Sequence, residues 1–236
     1  MCAYLDWEDD DKKQEAVSCA KKFGYTIKPI NINNSSNEWT ISEDGKTLYQ
    51  PLTAIKGLGD IAIEQILNNR PFKTIEELLF NEKIIYSKLN KKSLDALTRS
   101  GALSDLIDSR FSGSKHFWSA CVVDRPKTVK LLEANIVKYQ PEGEFTNEEK
   151  LEHLASLTGV YPIDLIVEQK VLDSLSRNHI PPISQFDEQL LTCWGIVRGI
   201  TEKKTRNGKL YWVVDLVDST NASTSLKIWS IKPDKD

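Results

Sequence analysis

Most of the 236-residue chain places its apolar residues at helical spacing, and the pattern shifts to alternation near the C-terminal end. Met1 to Leu5 reads as a short strand or helix end. The stripe Ala16, Cys19, Ala20 and Phe23 predicts a helix over about 10–23, stopped by Gly24. The acidic run Glu8 to Asp11 suits that helix's first turn, where the dipole favours negative charge. Tyr25 to Pro29 reads as a strand and 31–37 as a polar loop. Trp39–Ile41 and Thr47–Tyr49 bracket a hairpin turn at Glu43-Asp44-Gly45-Lys46. Thr74 to Phe80 is a helix whose Thr74 and Glu77 fit a capping box. A further helix runs from Ser87 or Asn90 to Gly101, with Leu89, Leu94, Leu97 and Leu103 in phase. His116-Phe117-Trp118 lies in a helix, the aromatics as core, and Asp124 to Lys127 breaks it. Residues 139–147 read as a surface linker. Leu151, Leu154 and Leu157 predict a helix over 148–157 that ends at Gly159. Another spans about 167–176, and Pro181-Pro182 marks a boundary.

The most informative stretch is Leu52 to Arg70. Gly57 and Gly59 flank Leu58, Ile55-Lys56 precede them, and Ala62, Ile63, Ile66 and Leu67 follow at helical spacing. Glycines there permit a tight turn with positive φ and let a phosphate reach the main chain without meeting a Cβ. A helix starting near Asp60 would offer unpaired N–H groups and its positive end to that phosphate. This is the layout of a helix-hairpin-helix clamp, which holds a nucleic-acid backbone without reading its sequence. A lone G-x-G also occurs in ordinary turns, and the surrounding apolar positions favour the clamp. Lys88, Lys91, Lys92 and Arg99 would extend the phosphate contacts through a second, degenerate hairpin unit; the same charges also suit a solvated helix face.

The last block alternates. Strands are predicted at 190–200, 210–217 and 224–231, with Asn207-Gly208 in a type I′ turn. This meander resembles the first strands of an OB barrel, which binds single strands with a basic groove and stacking aromatics. Arg198, Lys203, Lys204, Arg206 and Lys209 supply charge; Tyr211, Trp212 and Trp229 supply ring faces or fill a core. Alternation puts Tyr211 and Trp212 on opposite faces.

Composition adjusts the picture only slightly. With 40% hydrophobic and 28% charged residues the chain is globular, and its length allows one large domain or several small ones. The net charge of −3 argues against nucleic acid, yet it is unevenly spread. Residues 52–103 carry 8 basic against 6 acidic groups and 190–236 carry 8 against 5, whereas 104–189 carry 9 against 14. No apolar run reaches transmembrane length and no signal-peptide pattern is present, so the expectation is a cytoplasmic chain with no membrane partner. Cys2, Cys19, Cys121 and Cys193 are scattered, which predicts reduced thiols and no zinc site. Asp9, Asp10 and Asp11 on one helical turn point different ways and make a poor metal site for a nuclease.

The order of these pieces resembles the C-terminal part of the bacterial DNA polymerase III alpha subunit, with phage-encoded relatives closest. The residues that carry the likeness are LTAIKGLGDIAIEQILNNRPFKTIEELL, LNKKSLDALTRSGALSDL and LTCWGIVRGITEKKTRNGKLYWVVDLVDSTNASTSLKIW. It is strongest at 49–106 and 190–231 and thin at 111–150. The resemblance implies an α+β, multidomain chain. A fingers-like α/β remnant would span 1–48, a tandem helix-hairpin-helix domain 49–110, a helical connector 111–188 and an incomplete OB fold 189–236. It implies duplex contact through Lys56, Gly57, Leu58 and Gly59, supported by Lys91 and Lys92. Arg198, Lys204, Arg206, Lys209 and Trp212 would serve the OB-like part. The family's nucleotidyl transfer needs magnesium held by palm aspartates that are absent from these residues, so no cofactor is expected in this chain. The expected partners are primer-template DNA, the remaining polymerase segments and a candidate sliding clamp, although no convincing Gln-x-x-Leu-Phe peptide is present. The expectation is a polymerase fragment, truncated or split. The alternative is a stand-alone accessory protein of repair or recombination that joins a hairpin clamp to an OB fold.

Overall fold

A computed structural model describes residues 1–8, 12–159, 167–187, 189, 192–218 and 223–229, with backbone alone at Lys13, Gln14, Glu15, Ser18 and Ser223. The architecture is α+β. The chain forms two compact units, Met1–Val160 and Tyr161–Asp236.

The first unit begins with α1 (Cys2–Trp7), where the sequence left strand and helix end open, and α2 (Lys13–Lys22). The carboxylates Asp9, Asp10 and Asp11 fall outside the described residues. Strands β1 (Thr26–Lys28), β2 (Thr40–Ile41) and β3 (Thr47–Tyr49) make a mixed sheet in the order β1-β3-β2. Leu5, Ala16, Val17, Ala20, Trp39 and Leu48 form its small core.

The helical part follows. A 3₁₀ turn (Leu52–Ala54) precedes α3 (Asp60–Asn69), α4 (Ile75–Leu79), α5 (Lys91–Arg99), α6 (Ser114–Trp118), a π-turn (Ser119–Val123), α7 (Val129–Tyr139) and α8 (Asn147–Thr158). Their core is continuous. It runs from Ile30 through Ile55, Ile66, Leu94 and Phe117 to Leu132, and Leu157 packs against it. The hairpin segment and α6, α7 and α8, from the stretch expected as a connector, therefore share one core.

Capping explains several boundaries. Asn90 Oδ1 accepts from Ser93 N–H to start α5. Gly101 (φ +79) ends it in a Schellman motif, with Ala102 N–H donating to Leu97 O and Gly101 N–H to Thr98 O. The expected capping box at Thr74 is only half made. Thr74 Oγ1 accepts from Glu77 N–H, but the Glu77 carboxylate accepts from Lys73 N–H, one residue upstream. The reciprocal box stands at Thr146 and Glu149 instead. The linker expected at 139–147 begins as the end of α7 and a 3₁₀ turn (Gln140–Glu142). Asn135, facing inward, donates to Ala120 O and Asp124 O and ties α7 to the π-turn. This polar core position interrupts the apolar periodicity that would have announced the helix.

The second unit holds α9 (Gln169–Arg177) and a three-stranded antiparallel meander in the order β4-β5-β6. The strands are β4 (Ile196–Lys204), β5 (Leu210–Val217) and β6 (Ser223–Trp229). β4 starts later than expected because Trp194 instead bridges to Pro182. The turn after Lys204 lies where the sequence placed it but is not type I′. That type needs positive φ at both central residues, and here Gly208 (φ +78) has it and Asn207 does not. Gly208 N–H donates to Thr205 O and Thr205 N–H to Lys209 O, a type I turn closed by a left-handed glycine.

Candidate nucleic-acid interface

The hairpin turn is built from Ile55 to Leu58. Leu58 N–H donates to Ile55 O at 3.2 Å, and Gly57 holds φ +88, as the third residue of a type II turn requires. Ile55 and Leu58 are buried and pin the two ends of the turn to the core, while Lys56, Gly57 and Gly59 stay exposed. Leu58 thus serves the turn through its packing, and its side chain faces the core. Ala62, Ile63 and Ile66 bury the inner face of α3 as their spacing predicts, with Leu67 half-buried beside them.

Gly59 caps α3 with no side-chain partner, and Ala62 and Ile63 donate to its carbonyl. Its φ of −79 and ψ of 154 suit any residue, and a Cβ there would meet nothing within 4 Å. The turn itself therefore does not demand glycine at this position; what the glycine leaves is open space beside the main chain. The N–H groups of Gly57, Gly59, Asp60 and Ile61 have no acceptor within the described residues. They lie at the positive end of α3. Asp60 adds a carboxylate to that first turn, which suits the dipole and competes with an incoming anion.

Lys92, in the first turn of α5, lies against this turn. A Cβ on Gly57 would sit 3.4 Å from Lys92 Cε and 3.9 Å from Nζ. Lys91, its neighbour, is directed elsewhere and donates to Val123 O at 2.7 Å, closing the π-turn. Arg99 pairs with Asp95, and Arg70 at the end of α3 donates to Ser35 O, where burial lowers its pKa. Arg110 hydrogen-bonds Asp108 and Glu76 and holds both carboxyls below their ordinary pKa. Lys56 and Lys92 are thus the lysines of the expected set found at the turn. One contact had no signal in the sequence: Lys56 N–H donates to Leu157 O in the last turn of α8 at 2.8 Å.

In the second unit, register sorts the candidates by face. Trp212 lies opposite Glu202 and Ile228, on the face that carries Lys204, Ile200, Val214 and Leu226. The other face carries Tyr211, paired with Lys203 and Trp229. Tyr211 and Trp229 are stacked, with centroids 4.7 Å apart and planes at 29°, and Lys209 Nζ stands 5.3 Å from the Trp229 ring. The stacked pair with a cation beside it is therefore Tyr211 and Trp229, and Trp212 lies on the opposite face between Glu202 and Ile228. Arg198 occupies the bulge between Val197 and Gly199, and Arg206 is exposed in the turn. Among the described residues, no cluster of three His, Cys, Asp or Glu could hold a metal ion, and no helix is long and apolar enough to cross a membrane.

Residues 24–112 match the family described as a helix-hairpin-helix motif. The chain carries a helix-hairpin-helix region. Similarity extends beyond it. The DNA polymerase III subunit alpha of Aquifex aeolicus is 27% identical over 227 residues, covering 90% of this chain and 18% of that protein. That of Campylobacter jejuni is 26% identical over 244 residues, covering 92% and 20%. That of Deinococcus radiodurans is 36% identical over 108 residues, covering 43% and 8%. The chain thus resembles a region of bacterial DNA polymerase III alpha subunits and spans a fifth or less of each of these relatives.

Proposed function

We propose that this chain is a DNA-gripping part of a polymerase III alpha-type replicative polymerase, from its C-terminal portion, and that it holds primer-template duplex through the phosphate backbone. The observation that carries the reading is the hairpin turn itself. Four N–H groups with no acceptor among the described residues, an open space at Gly59 and the Lys92 ammonium gather at the positive end of α3, within the segment that matches the helix-hairpin-helix motif. Such a site binds phosphate and carries no base-reading group, so it accepts duplex of any sequence. The role assigned to the chain is binding. Two-metal nucleotidyl transfer, with its magnesium, belongs in this reading to a palm outside these residues. The remaining polymerase segments and a sliding clamp are the proposed partners, in the cytoplasm.

The β-meander extends the reading to single-stranded template as an OB-like module. The support is the Tyr211–Trp229 stack with Lys209 beside it and Lys203 and Lys227 on the same face. A base stacked on such a platform contributes roughly 1–3 kcal/mol.

The test is fluorescence anisotropy of the full chain on duplexes of unrelated sequence across a salt series. Affinity should be indifferent to sequence, should fall with salt, and should drop for Gly57→Val and Lys56→Glu. Binding unchanged by salt and by both substitutions sinks the proposal.

A further inference from the structure

The hairpin turn does not stand on its own helices. Lys56 N–H, the second residue of the turn, donates to Leu157 O at 2.8 Å. Leu157 is in the last turn of α8, where carbonyls have no helical donor. Gly159 then closes α8 in the left-handed conformation (φ +72), its N–H donating to Ala155 O. Leu157 packs on the same core that holds Ile55 and Leu58. The start of α8 is fixed separately, by the Thr146–Glu149 capping box and by the Lys115–Glu149 ion pair to α6. A helix well outside the motif-matching residues therefore holds the backbone of the turn at Lys56.

We propose that the C-terminal turn of α8 is a positioning element of the hairpin, so that the DNA-gripping unit extends through residue 159 rather than ending with residues 24–112. The proposal rests on the duplex-binding reading. The Lys56–Leu157 bond fixes the Ile55–Lys56 peptide, at the entrance to the turn and one residue before Gly57. That peptide sets where the Gly57 and Gly59 N–H groups point and how closely Lys92 approaches them. A phosphate bound by several donors at once is sensitive to their relative placement, so a loosened turn weakens binding even when every donor is still present.

The turn's own geometry supplies the test. The second residue of a type II turn is a position where proline is favoured, and Ile55 before it is extended (φ −82, ψ 107), as a residue preceding proline must be. Lys56→Pro therefore keeps the turn and deletes the N–H donor, whereas Lys56→Ala deletes the ammonium and keeps the donor. In the full chain, Lys56→Pro should bind a 20-base-pair duplex roughly three- to tenfold more weakly than Lys56→Ala, the worth of one hydrogen bond. Their salt slopes should match, because neither retains the lysine. Equal affinities for the two variants would overturn the brace. Amide exchange in the DNA-free protein is the second readout: the hydrogen-bonded Leu58, Ala62 and Ile63 amides, together with that of Gly159 at the end of α8, should exchange faster in Lys56→Pro and not in Lys56→Ala. If Lys56→Pro unfolds, Gly159→Ala strains the same brace from the α8 side, and its failure to perturb the hairpin amides would also overturn it. A wild-type chain that binds no duplex refutes the DNA reading, while the exchange result still decides the brace.

Discussion

The aliphatic end of the Lys92 side chain, on α5, lies against Gly57 in the hairpin turn, 3.4 Å from the point where a Cβ would project. α5 thus lends its cation to the backbone donors of the hairpin turn. Lys92→Glu places a carboxylate beside unpaired N–H groups that favour an anion, and so fills the site from within. Duplex affinity should fall at least several-fold and the slope of log K against log salt should shrink by about one contact. An unchanged slope would place Lys92 outside the phosphate path.

The two glycines of the turn should separate stability from binding. Gly57 holds φ +88 and has Lys92 beside it, so any side chain there strains the fold. Gly59 has ordinary extended dihedrals and empty space around it. Gly59→Ala should leave the thermal midpoint unchanged or raise stability by about 0.4–1 kcal/mol through the unfolded chain. The same variant should weaken duplex binding, because its Cβ intrudes where the phosphate must approach. A Gly59→Ala chain that is as stable and binds equally well would show that the backbone is approached elsewhere.

What the sequence revealed and what it hid divide along a physical line. The turn at Gly57, the buried face of α3 and the span from Asn90 to Gly101 were legible because each is decided by residues close together in the chain. The meeting of Lys92 with Gly57 was not, although both were singled out, because Lys91 and Lys92 look alike until α5 is docked and sends one to Val123 O and the other to the turn. The brace from Leu157 was invisible for a different reason: it is made by main-chain atoms, which carry no signature. Alternation put Tyr211 and Trp212 on opposite faces, but only the pairing with β6 shows that Tyr211 stacks on Trp229 and that Trp212 lies beside Ile228.

His179 marks a position where a better residue is available. It ends α9 with φ +55, and Ile180 N–H to Leu175 O with His179 N–H to Ser176 O complete a Schellman motif. A side chain with a Cβ costs about 1–2 kcal/mol in that conformation, and glycine adopts it freely. His179→Gly should raise the stability of the second unit by up to about 1 kcal/mol in urea unfolding, and His179→Ala should not. The imidazole also lines a cavity of about 530 Å³ with Leu172, Pro181 and Trp194. A loss of stability in His179→Gly would mean that its contacts in that cavity outweigh the backbone strain.

His153 should give the first unit a dependence on mild acid. Its ring meets Phe145 edge-on at 4.8 Å, and its Nδ1 is buried without a partner. Burial, and after it the charge of Arg99, pushes its pKa below the ordinary histidine value; Glu149, Glu152 and Asp95 pull the other way. The unfolded chain therefore takes up the proton first, near pH 6.5. Between that pH and the lower folded pKa the unfolded state holds more protons, so stability falls as pH falls and is flat above about pH 7.5. The carboxyls of Glu76, Asp108 and Glu144, whose pKa values are lowered, lose their contribution only below about pH 4.5, outside this window. His153→Phe keeps a ring against Phe145 and removes the titration. The urea midpoint of the natural chain should drop between pH 7.5 and 5.5, and that of the variant should move less. Equal drops would assign the acid sensitivity to another group.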